Sequence, residues 1–330
     1  MAENEVVTQR FSQIEPKPIR WLWKPWLARG KLAILDGDPG VGKSLLTIDL
    51  AARLSRGDTL PDGTKLDRKH ITAFLAAEDD AADTLRPRAE AAGANLDLLV
   101  TVAGPDNGPL LIPDDLHQIS RHVGFEQADL LIIDPIVAFL PRSVAVSSDQ
   151  CVREALTRLA RFAQRFDCAV LLIRHLRKES SRNALHRGSG SMGFIASCRT
   201  GLLAAKDPSD PSRGILAVTK SNLGDDPPAL GYRIITNDSG LATVQWTGPA
   251  PLTANDLGIT PASLSQLERA ATWLMEQLES GPRPAADLYA AAASLGIPER
   301  TLRRACRSLG ITPERGVTDG RSGWQWSLEA

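Results

Sequence analysis

The sequence predicts an α/β protein in which a mostly parallel sheet, with helices on both faces and antiparallel strands at one edge, precedes a small α+β domain. Strand-like apolar runs alternate with helical patterns from Lys31 to about Trp246, which is typical of a parallel sheet. The 330 residues suffice for one large domain and a small second one. A segment rich in Pro, Gly, Thr and Asn separates the two regions.

The chain is predicted to consist of a polar arm, a large α/β domain, a linker and a small domain. These segments cover residues 1–18, 19–246, 247–261 and 262–330. Just after the arm, Trp21, Trp23 and Trp26 lie within six residues. Such a cluster favours packing in the core or between subunits, with stacking on a nucleobase as the alternative.

Apolar periodicity places the elements of the large domain. Strands are predicted at 31–36, 71–77, 98–103, 129–134, 168–174, 200–205, 214–219 and 241–246. Helices are predicted at 43–55, 80–93, 114–123 and 150–166. The short connection 207–214 predicts antiparallel hairpins at one edge of the sheet. In the helix 150–166, one face is apolar and the other carries arginines that we expect to be solvated.

The small domain shows three helical stretches followed by two strand-like pieces. The helices are predicted at about 263–279, 284–294 and 298–309, and the strands are separated by Thr318-Asp319-Gly320. This order is the pattern of a winged helix-turn-helix.

Composition limits the class of protein. Hydrophobic residues make up 43% and charged residues 23% of the chain, as in an ordinary soluble globular protein. A net charge of −1 gives no global electrostatic attraction to nucleic acid. Four scattered cysteines without a C-x-x-C pair indicate reduced thiols and no zinc site. The acidic, polar start and the lack of a long apolar run predict no signal peptide and no membrane span, so we expect a cytoplasmic protein.

The string GDPGVGKS contains every fixed position of the phosphate-binding loop G-x-x-x-x-G-K-[ST]. The apolar run 32–35 precedes it and a helical pattern at 45–54 follows, which is the context this motif requires. Its glycines let backbone N–H groups face phosphate oxygens, Lys43 reaches the β/γ-phosphates, and the Ser44 hydroxyl ligates Mg²⁺. The predicted nucleotide-binding residues are Gly37, Asp38, Pro39, Gly40, Val41, Gly42, Lys43, Ser44 and Leu45.

A second acidic position follows the apolar run 130–133. Asp134 ends this run in the Walker B pattern and is predicted to hold Mg²⁺ through water. The next residue is Pro135. AAA+ proteins place their catalytic Glu directly after the Walker B Asp, so the base of this protein must lie elsewhere.

The predicted general base is Glu78, with Asp79 as the second candidate. Both follow the predicted strand 71–77 at its carboxyl end. In an open α/β sheet that edge faces the ligand, and hydrolysis requires a base that activates water. Alternatively, Asp79 or Asp80 caps the following helix.

Six motifs follow one another in an order that resembles the RecA-like ATPase core of hexameric replicative helicases. They are GDPGVGKS, AAEDD, LLIIDP, LLIRHLRK, RGSGSM and VTKSN, and the plasmid-replication type is the most similar. The resemblance covers about residues 20–245. It implies a ring with ATP, rather than another nucleotide, bound between subunits and Glu78 as the catalytic base. It also implies that His175 is a sensor linking the γ-phosphate to DNA-facing loops, and that Arg199 is an arginine finger donated to the neighbouring subunit.

For two of these positions a plainer role stays open: His175 could be structural, and Arg199 could form an ordinary salt bridge. Arg187 and Lys220 match further basic positions of the family. The loop after the sensor strand meets single-stranded nucleic acid in such rings, and here it is basic, which suits backbone tracking. The predicted DNA contacts in this loop are Arg177, Lys178, Arg182 and Arg187; an ordinary surface loop is the alternative.

The third helix of the small domain looks like a recognition helix. Four arginines are predicted to project outward from it towards DNA phosphates, namely Arg300, Arg303, Arg304 and Arg307. Leu302, Ala305, Cys306 and Leu309 are predicted to face inward. A capping or oligomerisation domain with a solvated basic face is the alternative.

The leading hypothesis is therefore a Mg²⁺-dependent ATPase that assembles as a ring and moves on single-stranded DNA in the replication of a plasmid or phage-type element. The resemblance implies six subunits in the ring. The second hypothesis is an ATP-controlled DNA-binding regulator or loader that does not translocate. A small-molecule P-loop kinase is disfavoured, because the Arg-rich lid of such enzymes has no counterpart in the sequence.

Overall fold

The computed structural model describes residues 8–104, 110–125, 127–176, 188–257, 266–278, 281–309, 311, 313–318 and 321–327. The chain divides into two compact units. Of the described residues, those up to 257 belong to the larger unit and those from 266 onward to the smaller one. None of the described helices combines the length and the apolar character that crossing a bilayer requires.

The larger unit is built on one sheet and a short hairpin. The hairpin pairs β1 (Trp21–Trp23) with β2 (Leu27–Ala28). The strands of the sheet are β3 (Leu32–Gly37), β4 (Thr72–Ala76), β5 (Leu99–Thr101), β6 (Leu130–Asp134), β7 (Ala169–His175), β8 (Thr200–Lys206), β9 (Arg213–Ser221), β10 (Ala229–Thr236) and β11 (Ala242–Ala250).

The sheet has the order β11-β10-β9-β8-β3-β7-β6-β4-β5. All neighbours from β8 to β5 are parallel, whereas β9, β10 and β11 are added antiparallel at one edge. The predicted fold class is confirmed: the protein is α/β with a mostly parallel sheet and antiparallel edge strands.

Helices cover the sheet because its parallel strands are apolar on both faces. They are α1 (Lys43–Arg56), α2 (Arg86–Ala91), α3 (Leu116–Phe125), α4 (Asp149–Phe166) and α5 (Gly193–Ser197). Two large apolar clusters lie on the two sides of the sheet, and alternate residues of β3 enter one or the other. Ser148 caps α4 by accepting a hydrogen bond from the Cys151 N–H. The arginines on the outer face of α4 are exposed, as predicted.

Three details of the large unit differ from the sequence predictions. Strand β10 was not predicted, although Leu230, Tyr232 and Ile234 alternate as strand residues do. The region 80–93 is not one helix, because a single π-helical segment precedes α2. The predicted linker 247–261 begins too early: β11 continues to Ala250 through its pairing with β10, and the residues just beyond it still pack into the large unit.

Two of the three tryptophans after the arm are core residues. Trp23 and Trp26 are buried and stack on each other with ring centroids 5.0 Å apart. Both lie in the apolar cluster that also contains residues of α1. Stacking on a nucleobase is therefore excluded for these two side chains.

The smaller unit has its own core. Its elements are α6 (Gln266–Leu278), β12 (Arg283–Pro284), α7 (Ala285–Ser294), α8 (Glu299–Ser308), β13 (Glu314–Thr318) and β14 (Arg321–Trp326). The three strands form an antiparallel sheet in the order β12-β14-β13. Leu274, Leu288, Leu302 and Trp326 are buried together. The short strand β12 lies between the first two helices and was not predicted.

Candidate active site

The carboxyl edge of the parallel strands brings together side chains that lie far apart in the sequence. Strand β3 leads into the phosphate loop and pairs with β7, which ends in His175. Strand β6, which ends in Asp134, pairs with the other side of β7, and β4 follows next to β6. His175 therefore lies between the phosphate loop and the Walker B strand, an arrangement that the linear motif order did not reveal.

The phosphate loop is held in a conformation that requires glycine. Gly40 and Gly42 have φ angles of 75° and 96°, in the left-handed region. A Cβ atom on Gly42 would lie 2.7 Å from Cδ1 of Ile234 on β10. The Tyr232 hydroxyl, also on β10, donates a hydrogen bond of 2.8 Å to the Val41 carbonyl. The antiparallel strand β10 thus packs against the phosphate loop and supports its conformation.

The Lys43 ammonium group points into the loop. Its Nζ lies 2.8 Å and 2.9 Å from the carbonyl oxygens of Gly37 and Asp38, and 3.2 Å from Nδ1 of His175. Burial lowers the pKa of Lys43, and the carboxylate of Asp134 offsets part of this effect. A desolvated cation enclosed by backbone groups is a strong binding point for phosphate oxygens.

Ser44 and Asp134 form the second polar pair of the site. The Ser44 hydroxyl donates a 2.8 Å hydrogen bond to Oδ2 of Asp134. Burial raises the pKa of Asp134, and this hydrogen bond counteracts it only in part. Hydroxyl and carboxylate oxygens are ligands that Mg²⁺ prefers, and Mg²⁺ commonly takes its other ligands from phosphates and water. The donor set therefore fits a Mg²⁺–nucleotide complex. No described residues form a dedicated site of three or more His, Cys, Asp or Glu side chains.

The three acids after β4 occupy different positions. Asp80 caps the following helical segment by accepting hydrogen bonds from the N–H groups of Ala82 and Asp83. Asp79 is paired with Arg88 at 3.0 Å. Glu78 is exposed to solvent and lines the same cleft as Lys43.

These residues surround a cleft of about 370 Å³, within the range of small-molecule sites. Its lining residues are Pro39, Gly40, Gly42, Lys43, Ser44, Leu45, Ala76, Glu78, Asp79, Arg88, Asp134, His175 and Ile234. Arg88 and Ile234 were not predicted from the sequence. Nothing in the sequence distinguished Arg88 as a site residue, because it lies among other charged residues of α2. Ile234 could have been found from the alternation in β10.

Arg199 lies at the opposite edge of the sheet. It is exposed, and its backbone N–H donates to the carbonyl of Leu32, at the start of β3. Leu32 and Gly37 lie five residue steps apart along β3, a distance of about 16 Å. Arg199 is therefore too far from Lys43 of its own chain to share one phosphate with it. Lys220 donates to the carbonyls of Ile195 and Cys198, at the carboxyl end of α5.

The residues predicted to contact DNA fall into two groups. Arg177, Lys178, Arg182 and Arg187 lie outside the described residues. The side chains of Arg300, Arg303, Arg304 and Arg307 on α8 are exposed, whereas Leu302, Ala305 and Cys306 are buried. Arg303 is paired with Glu299, one turn earlier on the same helix. On the adjoining hairpin, the exposed Trp324 lies 5.7 Å below the guanidinium of Arg315, while Trp326 is buried.

The parallel sheet, the phosphate loop and the Walker B acid at one sheet edge define a P-loop ATPase with a RecA-like core. Residues 2–181, more than half of the chain, match the family described as AAA domain (AAA_25). The chain belongs to this family. The acid that AAA+ proteins place after the Walker B Asp is nevertheless replaced by Pro135.

Curated relatives are similar to part of the chain. The DNA repair protein RadA of Halalkalibacterium halodurans is 27% identical over 154 residues, which is 46% of this chain and 29% of the relative. The RadA of Brucella abortus is 29% identical over the same shares. The RadA of Chlamydia pneumoniae is 25% identical over 233 residues, 68% of this chain and 45% of the relative. The chain thus spans less than half the length of each.

Proposed function

We propose that the protein is a Mg²⁺-dependent ATPase of the RecA-like ring class that moves along single-stranded DNA, as a helicase or translocase in the replication of a plasmid or phage-type element. The observation that carries this proposal is the single cleft in which Lys43, the Ser44–Asp134 pair, Glu78 and His175 converge.

In this proposal the residues of the cleft have different roles in ATP binding and hydrolysis. The loop N–H groups and Lys43 bind the β- and γ-phosphates of ATP, and Ser44 and Asp134 hold Mg²⁺. When bound, Mg²⁺ neutralises the charge on the phosphate oxygens. Glu78 accepts the proton of the attacking water. Its exposed carboxylate suits this role better than that of Asp79, which is engaged with Arg88.

His175 is proposed as the sensor of the γ-phosphate. Its Nδ1 is 3.2 Å from Nζ of Lys43, so both groups would contact the same phosphate group. His175 is also the last residue of β7, directly before the segment proposed to contact DNA. A change at the γ-phosphate can therefore reach that segment through one residue.

The position of Arg199 supports assembly into a ring. It lies about 16 Å along the sheet from the phosphate loop of its own chain, so it can act on a phosphate only in a neighbouring subunit. Burial lowers the pKa of Lys220; Cys198 opposes this effect, and the positive charges of Arg199 and Arg153 add to it. This local positive charge suits the anionic nucleotide of a neighbour.

DNA is proposed as the polymer for two reasons. The relatives are named DNA repair proteins. The exposed arginines of α8 also provide local positive charge on a chain whose net charge is −1. Contacts of this kind neutralise phosphates and predict strong salt dependence of binding.

The test is ATP hydrolysis with and without single-stranded DNA, compared with the Lys43→Ala variant. We expect wild-type hydrolysis to exceed that of the variant by about a hundredfold or more, and to rise when DNA is added. Mass measurement with a non-hydrolysable ATP analogue and DNA should show a ring, for which six subunits are expected. No hydrolysis above the variant would refute the ATPase; hydrolysis without strand separation or movement would refute the motor.

The small unit favours a second candidate, an ATP-controlled DNA-binding regulator or loader. Its order of three helices and a hairpin, with an exposed arginine face on α8, suits a winged helix-turn-helix that binds duplex DNA. Replacing Arg300, Arg304 and Arg307 by Gln should abolish duplex binding in this case. The matched control replaces Arg158, Arg161 and Arg165 on α4. Duplex binding that remains after the replacement of Arg300, Arg304 and Arg307 would count against a regulator. Processive strand separation by the wild type would also count against it.

A further inference from the structure

Among the described tryptophans, Trp324 in the small unit stands out by its exposure to solvent. It is 55% exposed, whereas Trp326, two residues further along β14, is 3% exposed. Side chains two residues apart on a strand lie on the same face of the sheet, about 7 Å apart. Trp326 belongs to the core of the small unit, and its ring meets the ring of Tyr289 with centroids 5.3 Å apart. Trp324 therefore continues the core face of the hairpin into solvent.

The indole ring of Trp324 has a cation beside it. Arg315 is the residue directly opposite on β13, and its guanidinium carbon lies 5.7 Å from the centre of the ring. This distance is within the range of a cation–π contact. Arg315 is exposed as well, and a cation–π contact contributes little stability at an exposed site. Stability of the fold alone therefore does not account for a large, accessible aromatic ring at this position.

The charge of the neighbouring helix indicates an anionic ligand. Arg300, Arg304 and Arg307 are exposed and follow one another at i, i+4 and i+7, so they lie along one face of α8 over about 10 Å. Arg303 lies to the side of this row and is paired with Glu299 at 2.6 Å. A row of three arginines on one face suits contacts to successive phosphates of a nucleic acid backbone.

The hairpin begins beside the end of α8. Five residues connect α8 to β13, and in this connection the Ile311 N–H donates a 3.1 Å hydrogen bond to the Cys306 carbonyl of α8. Arg315 follows Ile311 after four residue steps, which span at most about 14 Å. The cation beside the exposed ring is therefore close to the end of the helix that carries the arginine row, and one DNA molecule can contact both elements.

The chemistry of the two groups narrows the kind of DNA. Phosphates satisfy the arginines of α8, but they offer no partner to an indole ring. The faces of bases in an intact duplex are covered by the bases above and below, so a side chain can stack only on an unpaired or terminal base. Stacking of a base on an aromatic side chain is favourable and tolerates every base, because each base has a π face.

We propose that Trp324 and Arg315 form a stacking site for an unpaired DNA base, so that the small unit binds the junction between a duplex and a single strand. Arg300, Arg304 and Arg307 contact phosphates of the duplex, and the first unpaired base stacks on Trp324. Arg315 neutralises the phosphate of that nucleotide. This inference rests on the DNA contact proposed above for the small unit, and it adds the form of DNA that the unit selects.

The experiment uses the full-length chain and two duplexes that differ only in their overhang. One overhang consists of a few thymidines, and the other consists of the same number of abasic nucleotides. Because both carry the same phosphates, the ratio of the two dissociation constants measures the contribution of the bases. The variants are Trp324→Ala, which removes the ring, and Trp324→Phe, which keeps a smaller one. The matched control is Leu295→Ala, which shortens another apolar side chain of the small unit that is 61% exposed.

We expect the wild type to bind the thymidine overhang about tenfold or more tightly than the abasic one. Trp324→Ala should bind the two within about twofold of each other, Trp324→Phe should show an intermediate ratio, and Leu295→Ala should keep the wild-type ratio. The proposal is overturned if the wild-type ratio is near one, if Trp324→Ala keeps the wild-type ratio, or if Leu295→Ala loses it equally. If Trp324→Ala does not fold, Trp324→Phe decides, and an unchanged ratio overturns the proposal. If neither folds, Trp324 is required for the fold and the stacking role is rejected.

Replacing Arg300, Arg304 and Arg307 by Gln separates this proposal from the DNA contact on which it rests. A wild-type ratio near one, with binding to both duplexes lost when the arginines are replaced, rejects the stacking site and leaves the duplex contact in place. A tenfold ratio that depends on Trp324 but persists without the arginines supports the stacking site and refutes the duplex contact. A wild type that binds neither duplex refutes both.

Discussion

Strand β6 has one aspartate at each end, and the surroundings of the two shift their pKa values in opposite directions. Asp129, just before the strand, is 1% exposed and faces Arg29, Arg68 and His70. Burial alone would raise the pKa of Asp129, but the His70 ring 3.2 Å away and hydrogen bonds from Arg68 and Arg29 hold it well below its usual range. Asp134, at the end of the strand, receives a hydrogen bond from Ser44, and burial raises its pKa.

This difference separates a structural edge of the sheet from the edge that carries the candidate site. At the amino edge, donors surround the carboxylate and leave no room for a ligand. At the carboxyl edge, Asp134 and Lys43 are desolvated and only partly compensated, beside an open cleft. Groups left in this condition are typical of binding sites, because a ligand can supply the missing partners.

The largest stability effect is expected from Asp129→Ala. It removes one of the two carboxylates paired with the largely buried Arg29, whose other partner is Asp167, and it leaves the Ile71 N–H without its acceptor, so the free energy of unfolding should fall by about 3–5 kcal/mol. Urea denaturation measures this loss. The control is Glu90→Ala, in an exposed pair with Arg86, which should cost less than about 1 kcal/mol. Equal losses in the two variants would contradict a structural role of the amino edge.

The reverse result is expected for Asp134→Asn. ATP hydrolysis should fall by about a hundredfold or more, since the metal-side carboxylate is lost. The free energy of unfolding should stay unchanged or rise, because a desolvated carboxylate becomes a neutral amide of the same shape. Steady-state hydrolysis and urea denaturation of one preparation measure both. A stability loss as large as that of Asp129→Ala would show that the two edges do not differ.

Lowering the pH should change the contributions of the two aspartates to stability in opposite directions. The pKa of Asp129 is lowered in the folded state, so its stabilisation is complete above the unfolded value of about 3.9, and it is lost as the pH falls towards the folded value. The pKa of Asp134 is raised, so its carboxylate destabilises the fold at neutral pH and this penalty disappears as the pH falls. Unfolding free energies from pH 7 to pH 3 should therefore decline less steeply in Asp129→Asn than in wild type, and more steeply in Asp134→Asn.

The smallest effect is expected from Tyr232→Phe. It removes the hydrogen bond from β10 to the Val41 carbonyl behind the phosphate loop, which should cost about 1 kcal/mol of stability. Nucleotide affinity should fall by less than about tenfold, since the loop keeps its glycines and Lys43. Urea denaturation and titration with a fluorescent ATP analogue measure the two. An unchanged stability would mean that the antiparallel strands do not support the loop.

The elements with strong periodicity were predictable from the sequence. The strand, loop and helix around GDPGVGKS, and the amphipathic helix α4, occur almost where the pattern placed them. Strand β10 and the extension of β11 were missed, because their pairing partners, and not local propensity, fix them. Trp23 and Trp26 could be assigned to the core only when their burial was known.

The sequence by itself determined the fold class and the phosphate loop, because both depend on local patterns: apolar runs at fixed spacing, and glycines followed by Lys43 and Ser44. Only the tertiary structure decided which distant groups meet. It placed His175 beside Lys43 and Arg88 beside Asp79, and it fastened Arg174 to Asp36. Sheet order controls these contacts. No local pattern encodes that order, since it results from the packing of the strands and helices as a whole.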